Sequence, residues 1–316
     1  MRLTAPLTIL SAFALTSLAA ADPDRDATPP PMASGSLETG APEPAPAPAE
    51  PPPPAKAKPG ASLTAKKGGV VLQLNAEMNL TKDKAFKPVS LAPDLSYGVT
   101  DKLTIAIEHS SFALTGFRGS AGSGLCIVSK ENGCPSVYRQ GGLELLYSVA
   151  TGPTAVAIDG GLVVKDLRVF SGTAIGSKDT LDTIAKFGAK ARFSAGAFSL
   201  MASPSLWIGL SNRTVTDASG ASAKVNKDQL WFPVVGWVKP IPALMLGVGS
   251  GIKGPLSKFA DTYTIPVGAL VQVMVNKHIQ IGSSFIFGSI AGGKAVKNPD
   301  PGADGRALQV WLTLSS

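Results

Sequence analysis

No apolar run in this sequence approaches the roughly 18 residues that a membrane-spanning helix needs, which excludes a helical membrane protein. Cysteine is nearly absent, with two in 316 residues, Cys126 and Cys134. There are two histidines, His109 and His278, and both lie away from the cysteines in sequence, so no metal-ligand set is expected. Charged residues make up only 16% of the chain. The net charge of +7 comes with no basic helix and no run of arginines, which argues against nucleic acid as a partner. "GSAGSG" at 119–124 lies in a long polar stretch rather than between a strand and a helix, so it is no nucleotide loop and no cofactor is expected.

What is present begins with an export signal. Arg2 gives a short basic start, Leu7 to Leu18 is apolar, and Ala19-Ala20-Ala21 supplies a small-residue cleavage site. Residues 1–21 therefore read as a signal peptide, and removing Arg2 with them takes the formal charge from +7 to +6. Residues 22–62 are a Pro/Ala-rich segment with almost no large apolar side chains. Such a composition cannot bury enough surface to offset its ordering entropy, so a disordered periplasmic tether is expected. Roughly 40 residues at about 3.1 Å each would reach on the order of 120 Å. Lys56 and Lys58 are its candidate contacts with the cell wall.

From residue 63 to 316 one pattern repeats: segments of about ten residues alternate apolar and polar, then turn. In "VVLQLNAEMNL" Val70, Leu72, Leu74, Ala76, Met78 and Leu80 share one face. In "AKFGAKARFSA" Phe187, Ala189, Ala191 and Phe193 oppose Lys186, Gly188, Lys190 and Arg192. A soluble core would not bury three cations, whereas the lumen of a membrane barrel can hold them. On the lipid face each would cost about 2–4 kcal/mol near mid-bilayer. That fixes the phase: cations inward, phenylalanines to lipid. Segments starting near 70, 89, 102, 137, 154, 185, 198, 228, 242, 263, 278 and 305 predict an all-β, antiparallel, up-and-down transmembrane barrel of about twelve strands.

The connections alternate in length. "GVTD", "ATGP", "AGA", "KPIP" and "NK" are short, while 81–88, 112–136, 166–184, 211–227, 253–262 and 290–304 are long and polar. Short periplasmic turns and long outer loops are the asymmetry expected of an outer-membrane barrel in contact with lipid. Cys126 and Cys134 share the loop 112–136, and export makes a local disulfide their default state. The hairpin "LAPDLSYGVTDKLTIAIEHSS" resembles Gram-negative outer-membrane β-barrel proteins of the porin and transporter kind, over about 65–316. The chain departs from many of them by ending in "WLTLSS" rather than on an aromatic residue, with Trp311 in the inward phase.

Two constellations stand out. His109 and Ser111 share the outward face of the third segment, and a His-x-Ser pair on a barrel strand resembles the outer-membrane acyl hydrolases. Catalysis also needs a group that orients the imidazole. The outward phases of the flanking segments offer Arg139 and Lys87 there, not Asn, Asp or Glu, so a rim position is the expectation and an enzyme is not. The second set faces inward: Glu77, Asp94, Glu108, Glu144 and Asp159 from the first five segments, then Lys186, Lys190 and Arg192 from the sixth. These groups could line a narrow pore that sorts small hydrophilic solutes, or pair and fill the interior. Inward glycines in later segments, such as Gly247, Gly268 and Gly282, leave room and point towards the pore.

Overall fold

The computed structural model describes residues 62–81, 85–110, 124–126, 138, 140–166, 181–211, 214–216, 222–224, 227–296 and 305–316. The signal segment and all but the last residue of 22–62 lie outside the described residues, as do Ser111, Cys134 and Arg139. The strands are β1 (Val70–Asn79), β2 (Val89–Gly98), β3 (Leu103–Glu108), β4 (Leu125–Cys126), β5 (Gln140–Ala150), β6 (Thr154–Asp166), β7 (Leu181–Ala195), β8 (Phe198–Ala202) and β9 (Ser205–Gly209). They continue with β10 (Thr214–Thr216), β11 (Ser222–Lys224), β12 (Gln229–Ile241), β13 (Leu244–Pro255), β14 (Thr264–Met274), β15 (Ile279–Gly292) and β16 (Arg306–Ser315).

Each long strand pairs antiparallel with its neighbours, and β1 pairs with both β2 and β16, which closes the sheet. The fourteen-stranded sheet counts β8 and β9 separately and includes β4, a two-residue addition beside β2. β8 and β9 together make one stave between β7 and β12. The barrel therefore has twelve staves, as the alternation predicts. The break in that stave falls at Ser203-Pro204, where proline has no N–H for the ladder. Pairing carries across it through the Pro204 carbonyl, which accepts from Ala189 N–H at 3.0 Å, and through Ser203 N–H to the Pro233 carbonyl at 3.0 Å.

The apolar side chains are on the outside. Leu91, Val248, Phe187 and Ile158 are 60%, 61%, 55% and 53% exposed, while the inward Glu77 and Glu144 are 0% and 3% exposed. This reverses the pattern of a soluble protein, and a closed barrel with an outer apolar belt is stable only against lipid. The strand ends at 98–103, 150–154, 195–198, 241–244 and 274–279 are joined by short turns at one end of the barrel; the opposite strand ends are the ones separated by the longer stretches of sequence. β7 begins at Leu181 rather than at 185, because Asp182 occupies an inward position and is only 2% exposed. A carboxylate in the polar phase of a strand reads in sequence as loop. The connection 253–262 is likewise partly ordered: β13 runs to Pro255 and a single-turn helix spans Phe259–Thr262.

Candidate functional site

The interior is built from the inward phase of every stave. Lys186 on β7 forms an ion pair with Glu144 on β5 and lies 3.6 Å from Asp159 Oδ2 and 3.9 Å from Glu108 Oε2. Lys190 Nζ donates to the other Glu144 oxygen at 2.5 Å. Glu144 and Lys186 are not on adjacent staves; each is paired in register with Gly161 on the intervening β6. With no side chain at Gly161, the ammonium reaches across β6. Glu108 likewise stands beside Gly142, and Asp159 beside Gly188. Five of the eight expected charges, Glu108, Glu144, Asp159, Lys186 and Lys190, thus meet as one cluster on β3, β5, β6 and β7.

The remaining predicted charges have separate settings. Glu77 accepts from Gln309 Nε2 at 3.3 Å, and Ser284 Oγ donates to Gln309 Oε1 at 3.4 Å, a polar row over β1, β16 and β15. Asp94 acts as a structural anchor. Its carboxylate accepts from Asn75 Nδ2 at 2.9 Å, from the N–H groups of His109 and Ser110 at 2.6 and 2.9 Å, and from Ser110 Oγ at 2.5 Å. Arg192 is inward on β7, in register with Ala155 and Met201.

That anchor bears on His109. β3 ends at Glu108, and Ser110 is fully buried on Asp94. The imidazole Nδ1 donates to the Pro93 carbonyl, and its ring stands edge-on to Tyr138 with centroids 5.7 Å apart. A backbone carbonyl, not a side-chain acid, therefore orients the ring. The proposed hydrolase partner Ser111 lies outside the described residues.

Sequence reasoning placed Trp311 inward but missed the other tryptophans and what they pack against. There are four in the chain, at 207, 231, 237 and 311, and all face inward. Trp207 and Trp231 sit 5.6 Å apart with Val163 and Ile184, and Lys165 and Lys253 lie over their rings at 4.6 and 5.1 Å. Trp311 packs with Val235, Leu270 and Ile286, and Trp237 covers that group. In the ring of twelve staves β14 stands six places from β5, so this apolar group on β12, β14, β15 and β16 faces the charged cluster across the interior. The large side chains lie along the wall. Leu270 lies over Gly247, where a Cβ would come within 2.6 Å of it, and Trp311 lies over Gly282, where a Cβ would come within 2.2 Å of the ring. The signal that could have found this is an inward tryptophan paired with an inward glycine, which requires the register.

This architecture has a counterpart among solved structures. An outer membrane channel from Pseudomonas putida F1 is similar with a TM-score of 0.50 at 11% identity, covering 80% of this chain and 97% of that one. The fold is that of the outer-membrane β-barrels. The NanC porin is similar with a TM-score of 0.49 at 7% identity, covering 77% of this chain and 98% of that one. No family model matches this chain, and no curated protein matches it in sequence.

Proposed function

We propose that this outer-membrane barrel is a narrow pore for small hydrophilic solutes in the bacterial outer membrane. The observation that carries this reading is the way the bulky inward groups lie flat on glycines: Asp159 on Gly188, Leu270 on Gly247, Trp311 on Gly282. On this reading, side chains seated against the wall leave the axis to solute. A permeant then passes between a hydrogen-bonding, charged side and an apolar, tryptophan-bearing side. The tether 22–62 would extend into the periplasm, and the loop with Cys126 and Cys134 would face outward. Purified protein in planar lipid bilayers should give discrete single-channel steps; a silent barrel would overturn the pore.

A second reading is favoured by the pairing of both Lys186 and Lys190 with Glu144. Charges neutralised within the wall suit a non-conducting barrel whose loops or tether hold a partner. Liposome swelling with small sugars separates the two, since only a pore admits them. Catalysis is no part of either reading; among the described residues His109 Nδ1 meets the Pro93 carbonyl and the ring packs on Tyr138.

A further inference from the structure

Residues 62–67 precede β1, yet they do not approach it from outside the barrel. They cross the inner wall of its short-turn end, over β2 and β3 to β5. Ala65 N–H donates to Thr104 Oγ1 at 2.9 Å, and Ser62 Oγ donates to Ser148 Oγ at 3.5 Å. Thr104 and Ser148 are inward groups, 5% and 2% exposed, whereas their strand neighbours Ile105 and Tyr147 are exposed outside. Thr64, itself 8% exposed, donates from Oγ1 to the Asp101 carbonyl at 3.0 Å. Lys67 N–H donates to Asp101 Oδ1 at 3.1 Å, and Gly68 N–H to the Gly98 carbonyl at 2.7 Å. At Gly98 the contact is so close that a Cβ would stand 2.0 Å from the Lys66 carbonyl oxygen.

The turn Tyr-Gly-Val-Thr-Asp at 97–101 therefore has a purpose beyond joining two strands. Gly98 leaves the inner wall bare where the crossing backbone presses on it. Asp101 holds the segment twice, its carbonyl accepting from the Thr64 hydroxyl and its carboxylate from the Lys67 N–H. Lys66 and Lys67 remain exposed on the segment. Ser62, the point where the Pro/Ala-rich region joins the barrel, lies against the inner side of β5.

We propose that residues 62–67 form a strap that narrows the periplasmic mouth and sets the size limit of the pore. This rests on the pore reading, and it names the element that selects. The strap covers the inner face of three of the twelve staves, β2, β3 and β5, at one level. It is held in part by hydrogen bonds to the side chains of Thr104 and Ser148, which can be changed without touching the charged cluster or the tryptophans.

The test compares full-length wild type with two released forms. One carries Thr104→Val and Ser148→Ala, which remove both inward side-chain partners. The other carries Gly98→Val, which places a side chain where the Lys66 carbonyl lies. Heat-modified gel mobility reports that each barrel is folded; should Gly98→Val fail to fold, the double variant carries the test, because valine suits a strand at least as well as threonine does. Single-channel conductance and liposome swelling with a series from arabinose to raffinose are then read. Released barrels should conduct about twofold more or better and admit a larger sugar than wild type. A conducting wild type with released forms of the same conductance and the same sugar limit would overturn the strap while leaving the pore intact. A silent wild type with conducting released forms would overturn the size-limiting strap, since the wild-type barrel would then be shut and no pore. Silence in all three would overturn the pore itself and the strap with it.

Discussion

Glu144 and Lys186 meet over Gly161, the residue paired in register with both of them. An ion pair that spans a whole stave depends on the absence of a side chain there. A Cβ at Gly161 would also stand 2.2 Å from the Leu143 carbonyl oxygen. Gly161→Val should therefore force the wall apart and uncouple the pair, with an overpacking cost of about 1–3 kcal/mol. Urea unfolding of the lipid-inserted barrel, followed by tryptophan fluorescence, measures it; unchanged stability would refute the crossing.

Lys186 compensates three carboxylates and is 6% exposed at its side chain, against 4% for Glu144. Lys186→Met leaves Glu144 with Lys190 alone and takes the nearby ammonium from Asp159 and Glu108, and should cost up to about 3–5 kcal/mol. Adding Glu144→Gln should recover part of that loss. If the double variant is no more stable than the single one, the two residues are not coupled.

The inward and outward phases of β7 predict mutants that differ in kind. Lys190→Gln with Arg192→Gln, which removes the charges without setting a second carboxylate against Glu144, should leave a folded barrel whose reversal potentials in a salt gradient move towards cations. Ala189→Arg or Ala191→Arg faces lipid and should impair insertion by about 2–4 kcal/mol. Unfolded lumen variants beside silent lipid-face variants would invert the phase, and selectivity indifferent to both would leave a filled interior.

Cys126 is buried where β4 joins β2, with Cα pairing to Ser90. Non-reducing mass spectrometry of exported protein should find it linked to Cys134. By chain entropy a loop this short contributes roughly 2–3 kcal/mol. Two free thiols would contradict the export reading.

Phospholipid and lipid A esters should survive incubation with the purified barrel. Ester cleavage that disappears in Ser111→Ala would make His109 a catalytic group after all.

Much of the fold was legible because the side-chain period of a strand is two. Lys186, Lys190 and Arg192 against Phe187 and Phe193 could only be lumen against lipid, and once one stave is phased the short and long connections phase the rest. Strand existence could be read, but not every boundary: Asp182 hid the start of β7 because an inward carboxylate looks like loop, and Pro204 split a stave by removing one ladder donor. The inward residues could be named from sequence as well, since naming them needs only alternation.

Which of those residues meet was decided by the closed sheet. Register is a property of pairs of strands, and it put Gly161 between Glu144 and Lys186, Gly282 beneath Trp311 and Asp94 beside the end of β3. Alternation along one strand carries no information about height on its neighbour, so only the register showed that five of the inward charges form a single paired cluster. The tryptophan-bearing side appeared only when closure brought β14 round to face β5. The path of residues 62–67 over Gly98 is likewise invisible in one dimension. A polar segment before a strand can run outside or inside the barrel, and only the hydrogen bonds to Thr104 and Ser148 place it inside.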